Sequence, residues 1–283
     1  MLAVLLALAA AAGYGGSDYA AGLAARQASV VRVTVLAEAT SAALLLCVIP
    51  FISSQAPSLT SVLWGAAAGA SGVAGAMALY LGFRYAAFSV ASSVSAVGTA
   101  AFSVLAGLAL GEQPGPLSLA GIALALPAIV AVSTPVRNPG GPIPTGHHAA
   151  GVGLGLAAGA GFGLFFIGLN EAGSSTDLWP IVISQVSAVV TVACVAAVTR
   201  DLRLPPAGAR RLSLLTGAIS AAGTAMFFLA THHGLLAITA VITSLYPAVT
   251  ILLARVLSGE RLTRLRIIGL CLAAASVGLI AAG

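Results

Sequence analysis

Apolar residues run through this chain in blocks of about twenty, divided by short clusters of turn formers and charges, almost from end to end. Each block is long enough to cross a hydrocarbon core of roughly 30 Å as an α-helix. The blocks fall at about 2–22, 30–50, 60–81, 88–109, 116–134, 149–169, 179–199, 211–230, 236–257 and 265–282, and predict ten transmembrane helices. The breaks are segments such as Ala25-Arg26-Gln27, Gly111-Glu112-Gln113-Pro114-Gly115-Pro116 and Arg200-Asp201-Leu202-Arg203-Leu204-Pro205-Pro206. The blocks are continuous, without the alternation of a membrane barrel strand. The expected fold is therefore an all-α polytopic membrane protein.

The pattern also repeats. Residues 1–134 and 149–282 follow one template at a constant offset of 148, with a Pro- and Gly-rich linker at 135–148 and the second unit taken as 149–283. Gly13-Tyr14-Gly15 falls on Gly161-Phe162-Gly163, Gly111-Glu112 on Gly259-Glu260, and Gly121 on Gly269. Two copies of an odd number of crossings must insert in opposite senses, so the ten helices are expected as two inverted five-helix repeats. Ala3, Ala7, Ala11 and Gly15 align with Gly151, Gly155, Gly159 and Gly163, and small residues four apart let helix backbones approach closely. The same alignment gives the first block an internal counterpart, and it lacks a basic leader, so it is expected to be retained rather than cleaved.

Composition fixes the solvent. Charged residues are 7% of the chain, against about 25% in soluble domains, and mean hydropathy is +1.08. Every cation is Arg, and the arginines gather at alternate loops: Arg26 and Arg32, Arg84, Arg137, Arg200 to Arg211, and Arg255 to Arg266. By the positive-inside rule those loops face the cytoplasm and both termini lie outside. A net charge of +5 then reports topology and attraction to lipid headgroups rather than nucleic-acid binding. Cys47, Cys194 and Cys271 fall inside crossings without metal spacing and are expected as buried packing residues.

The segment Thr99 to Glu112 with Gly121, and the segment Leu245-Tyr246-Pro247-Ala248 to Leu262 with Gly269, resemble the end of an EamA domain of the drug/metabolite transporter superfamily. The second copy matches more closely, since the first has Thr99 where the second has Pro247. The resemblance implies a secondary transporter, and the absence of Lys, read as a GC-rich coding genome, suggests a bacterial plasma membrane. It would move small metabolites, amino acids or drug-like compounds, often outward, by alternating access. No phosphate-binding GxxxxGK[ST] loop is present, so an ion or substrate gradient is the expected energy source, with protons as the candidate ion. A lipid flippase or a non-transporting scaffold is the alternative. No catalytic constellation, metal site or cofactor is expected.

Ionisable groups inside a membrane are expensive, and so mark the sites to inspect. Glu38 lies about 12 Å into the second helix and is the leading candidate for a proton carrier or a counter-ion to substrate. A Glu38 paired with Arg32 or Arg84, or held by Ser41, is the structural alternative. Asp18, with Arg26 or Arg84 as available partners, Tyr14, Trp64, Tyr80, Gln185 and Tyr246 complete the substrate and ion candidates. Pro247 is expected to kink the ninth helix by freeing the Thr243 carbonyl. Glu112 and Glu260 are expected to satisfy amides at the start of the helix that follows each.

Overall fold

A computed structural model describes residues 1–48, 56–85, 88–134, 148–173, 178–258 and 262–283, with backbone alone for Tyr80, 82–85, 88–93 and His148. The chain folds into α1 (Leu2–Ala25), α2 (Val30–Val48), α3 (Leu59–Tyr85), α4 (Phe88–Ala109), α5 (Pro116–Val132), α6 (His148–Glu171), α7 (Trp179–Val198), α8 (Ala207–His233), α9 (Leu236–Thr243), α10 (Tyr246–Ser258) and α11 (Arg264–Ala282). Among the described residues there is no strand. Eight spans, one of them α9 with α10, are long and apolar enough to cross a membrane, and the shorter apolar helices Val94–Ala109 and Pro116–Val132 bring the total to ten. The 135–147 part of the linker lies outside the described residues.

The ninth crossing is broken rather than bent. Ser244 and Leu245 form a turn between α9 and α10, and Pro247 stands second in α10. Proline is pre-organised for a first helical turn, where its missing N–H removes no bond. The break puts Thr243 against α1, where its hydroxyl donates to the Ala7 carbonyl at 3.4 Å.

Sequence neighbours do not dominate the packing. α1 packs on α8 and α6 on α3; α2 packs on α8 and α7 on α3; α1 packs on α9 and α10, and α6 on α4. Each pairing becomes its counterpart on exchanging copies at the offset of 148, and the exchange extends to single residues. A Cβ built on Gly13 would stand 2.8 Å from Gly223 Cα, and one on Gly161 would stand 2.7 Å from Gly75 Cα. Gly121 meets Ile280 while Gly269 meets Val132, so α5 and α11 pair with one another in the same reciprocal way. The result is one bundle of α1, α2, α8, α9 and α10 and a second of α6, α7, α3 and α4, with α5 and α11 as a flanking pair. The bundles meet along two seams, α2 on α7 and α4 on α9.

Small residues make the core. Fully buried positions are mostly Ala, with Ser and Thr, whereas Val198 (85% exposed), Val256 (75%) and Leu105 (64%) point outward. Lipid is as apolar as leucine, so helix association rests on close backbone contact, not on burying large side chains. The same reason corrects the expectation for the cysteines. Cys47, Cys194 and Cys271 are exposed, because an apolar solvent gives a thiol no incentive to turn inward.

Replacing Gly161 by Leu should destabilise the protein by about 1–3 kcal/mol through overpacking against Gly75. Gly22→Ala, with nothing within 4 Å of its added Cβ, should leave stability unchanged or slightly raised. Thermal unfolding of detergent-solubilised variants measures both.

Candidate functional site

The α2–α7 seam carries the polar chemistry at mid-depth. Gln185 of α7 is buried and donates from Nε2 to Glu38 Oε2 at 3.2 Å and to Ser41 Oγ, both on α2. Both amide protons of Gln185 are thus used on the opposing bundle. Glu38 is half-buried, and its second carboxylate oxygen has no partner among the described residues. Tyr14 of α1 donates its hydroxyl to Thr224 Oγ1 at 3.1 Å and places its ring 6.2 Å from that of Phe166. Two sequence candidates, Glu38 and Gln185, therefore meet. Arg32 does not pair with Glu38.

Asp18 and Trp64 do not join them. Asp18 is exposed on α1 and makes no hydrogen bond or ion pair with any described residue; Arg26 does not reach it, and the Arg84 side chain lies outside the described residues. Trp64 is 40% exposed beside the exposed Leu63. The Tyr80 side chain lies outside the described residues. Tyr246 is half-buried at the start of α10, where its carbonyl meets Gly15 of α1. No group of three or more His, Cys, Asp or Glu is gathered as a metal site among the described residues.

Two further acidic contacts tie the bundles together at their ends. α4 and α7 both terminate in the same reverse turn: Gly111 (φ 91°) and Arg200 (φ 55°) are left-handed, and the next residues, Glu112 and Asp201, bond back to Gly107 and Ala196. Each turn throws its acid across a seam. Glu112 accepts from the Leu236 and Ala237 amides at 2.5 and 2.9 Å, capping α9 and not the helix that follows it, which corrects the sequence expectation. Glu260 lies outside the described residues. Asp201 accepts from Ser29 Oγ and, at 2.5 Å, from Arg32 Nε at the start of α2. The Ser29 hydroxyl, with help from the Arg32 guanidinium, holds the Asp201 carboxyl below the usual carboxylate range. Single-sequence spacing gave no sign of either contact, since each joins residues more than 120 positions apart.

The two ends differ. α1 runs antiparallel to α8 and parallel to α10, so the described arginines all collect at the Asp201 end. There a cleft of about 550 Å³ opens among Ala25, Ala28, Ser29, Val30, Val31, Thr199, Arg200 and Asp201. At the opposite end Phe166 stacks on Phe227 with centroids 4.0 Å apart, and His232 of α8 contacts the Gly173 carbonyl beyond α6.

Residues 149–282 match the EamA-like transporter family, the same span as the second sequence repeat. They form an EamA-like transporter domain of the drug/metabolite transporter superfamily. A solved crystal structure of a protein 15% identical to this chain has the same fold, with a TM-score of 0.77 over 98% of this chain and 95% of that one. No curated protein matches the chain. The EamA-like domain supplies α6, α7, α8, α9, α10 and α11 to the arrangement above, and hence Gln185 and Asp201.

Glu112→Ala should strip two amides at the start of α9 of their acceptor and lower stability by about 1–2 kcal/mol, seen as a fall in the thermal midpoint. Because the Asp201 carboxyl is held below its ordinary range, its contacts persist above the depressed value and are lost only as pH falls through it. Carboxyl NMR titration should show that value rising toward about 3.9 in Ser29→Ala/Arg32→Gln.

Proposed function

We propose that the chain is a secondary transporter of a small organic solute, an exporter working by alternating access across a bacterial plasma membrane. The observation that carries this reading is a carboxylate, Glu38, held in a membrane-embedded seam by an amide from the opposing bundle. A charged group at such depth persists only with a partner or a function. The free oxygen of Glu38 leaves it able to take a proton or the amino group of a solute, and either event weakens its attraction for Gln185. Protonation or substrate capture is thereby linked to the contact that joins the bundles, which is what coupled transport requires.

The reciprocal pairs Gly13–Gly223 and Gly161–Gly75 support two inverted repeats, with residues 1–134 and 149–283 as the repeated units. The arginine-rich end is read as cytoplasmic and both chain termini as external. Tight glycine contacts lie inside the bundles, so the bundles rock as bodies, each built from helices of both repeats. Buried hydroxyls of Ser95 and Ser103 on α4 and of Ser244 at the α9–α10 break have no partner among the described residues and are available to a polar solute. Metabolites, amino acids and drug-like compounds are the substrate classes proposed.

A thermal-shift screen against amino acids, nucleosides, sugars and organic cations selects a stabilising solute. Its flux in proteoliposomes, with and without a pH gradient, should fall about tenfold in Glu38→Gln while folded yield is kept. Undiminished flux in that variant rejects the role of Glu38.

A further inference from the structure

We propose that Ser29 and Arg32 on the start of α2, with Asp201 after α7, form the gate at the arginine-rich end: a clasp that parts when the α2–α7 seam opens there. The inference rests on the two-bundle transport reading and adds the element that seals one side of the path.

Three observations carry it. First, the clasp joins the two bundles and nothing else. Ser29 and Arg32 belong to the bundle of α1, α2 and α8, Asp201 ends a helix of the other bundle, and this is the ion pair found among the described residues. Second, the seal is thin. The Arg32 and Asp201 side chains are 28% and 20% exposed, and the 550 Å³ cleft reaches Ser29 and Asp201 themselves. A solvated ion pair exchanges readily for water, so it can break without leaving a buried charge. The opposite end is instead closed by the fully buried Phe227 and Phe228, with Phe166 and Leu236 packed in the same cluster, and by the Glu112 cap on α9. Opening that end exposes aromatic surface, and opening the arginine-rich end does not. Third, Asp201 is positioned by backbone strain that its sequence did not require. Arg200 is left-handed at φ 55°, where Gly111 serves the equivalent turn of α4, and the turn aims the acid at α2. Holding a side-chain-bearing residue there is unfavourable unless the surroundings fix it.

The path behind the clasp is identified by helix geometry. Val30 and Val31 line the cleft. Thr34, buried and four and three residues further on, lies on the same face of α2 one turn deeper. Water should reach Thr34 only when the clasp is open.

The test uses full-length protein in detergent with Cys47, Cys194 and Cys271 replaced by serine and a single cysteine introduced by Thr34→Cys. A control carries Thr231→Cys, buried near the opposite end of α8. The probe is a water-soluble maleimide. Asp201→Ala should raise the labelling rate at position 34 about fivefold, as loss of an exposed ion pair and its hydroxyl contact allows. The charge-swapped Arg32→Asp/Asp201→Arg should return it to within about twofold of the parent, and position 231 should not change. An unchanged rate at position 34 in both Asp201→Ala and Ser29→Ala/Arg32→Gln overturns the gate. So does an equal rise at position 231, which marks general loosening. Neither result touches the Glu38 flux measurement, so the gate can fail while the transport reading stands. Loss of the Glu38 effect with selective opening at position 34 identifies the reverse case.

Discussion

Everything in this molecule follows from helices that must recognise each other in a solvent as apolar as their own side chains. Burying leucine gains nothing when lipid is the alternative, so association comes from backbones brought close enough for dispersion and weak hydrogen bonds. The Gly13–Gly223 and Gly161–Gly75 crossings are the clearest instances, since a single methyl on Gly13 or on Gly161 would collide with the facing Cα. These crossings determine which helices form a body. They tie α1 to α8 and α6 to α3 more firmly than either is tied to its neighbour in sequence. Thus each bundle is built from two crossings of each repeat.

Between the bundles the chemistry changes. The α2–α7 seam is held by Gln185 on Glu38 and Ser41, and at its end by Asp201 on Ser29 and Arg32. Hydrogen bonds and ion pairs are directional and can be exchanged for water or a ligand, whereas glycine-tight packing is lost only by pulling helices apart. Rigid bodies joined by exchangeable polar contacts make a two-state element, the requirement for any switching protein. The α4–α9 seam has the Glu112 cap as such a tie, and Ala96, Ala100, Val241 and Ile242 belong to one apolar cluster there.

Much of this was legible in sequence because it depends on period and composition. The ten spans, the repeat offset and the small-residue stripe of α1 and α6 all appear as regular features of one string, and the family match falls on the same 149–282 boundary. Pro247 marked the place where the ninth crossing divides. What stayed hidden is pairing across the fold. Glu112 gave no indication that it would cap α9 in preference to the adjacent helix, nor Asp201 that it would reach Ser29. In each case a left-handed residue aims the acid, and a left-handed Arg200 cannot be foreseen when glycine is the ordinary choice. The cysteines were misjudged for a simpler reason: habits of burial learned in water do not hold in lipid.

The pairing of Glu38 with Gln185 has a symmetry argument behind it. α2 and α7 are counterparts under copy exchange, so the seam between them sets each repeat against itself. Were the second copy identical to the first there, position 185 would be Ala and position 186 a second Glu, so Glu38 would lose its amide partner while another carboxylate entered the same seam. Two ionised carboxylates in such a place repel, and one must take up a proton. Here the copies have diverged: Gln185 occupies the position of Ala37, and Val186 that of Glu38. One repeat supplies the acceptor and the other the donor, so the contact forms without forcing a proton onto Glu38. In the transport reading proposed above, the carboxylate changes its state in response to a solute or an ion. At these two positions the departure from internal symmetry is what lets a donor from one repeat meet an acceptor from the other.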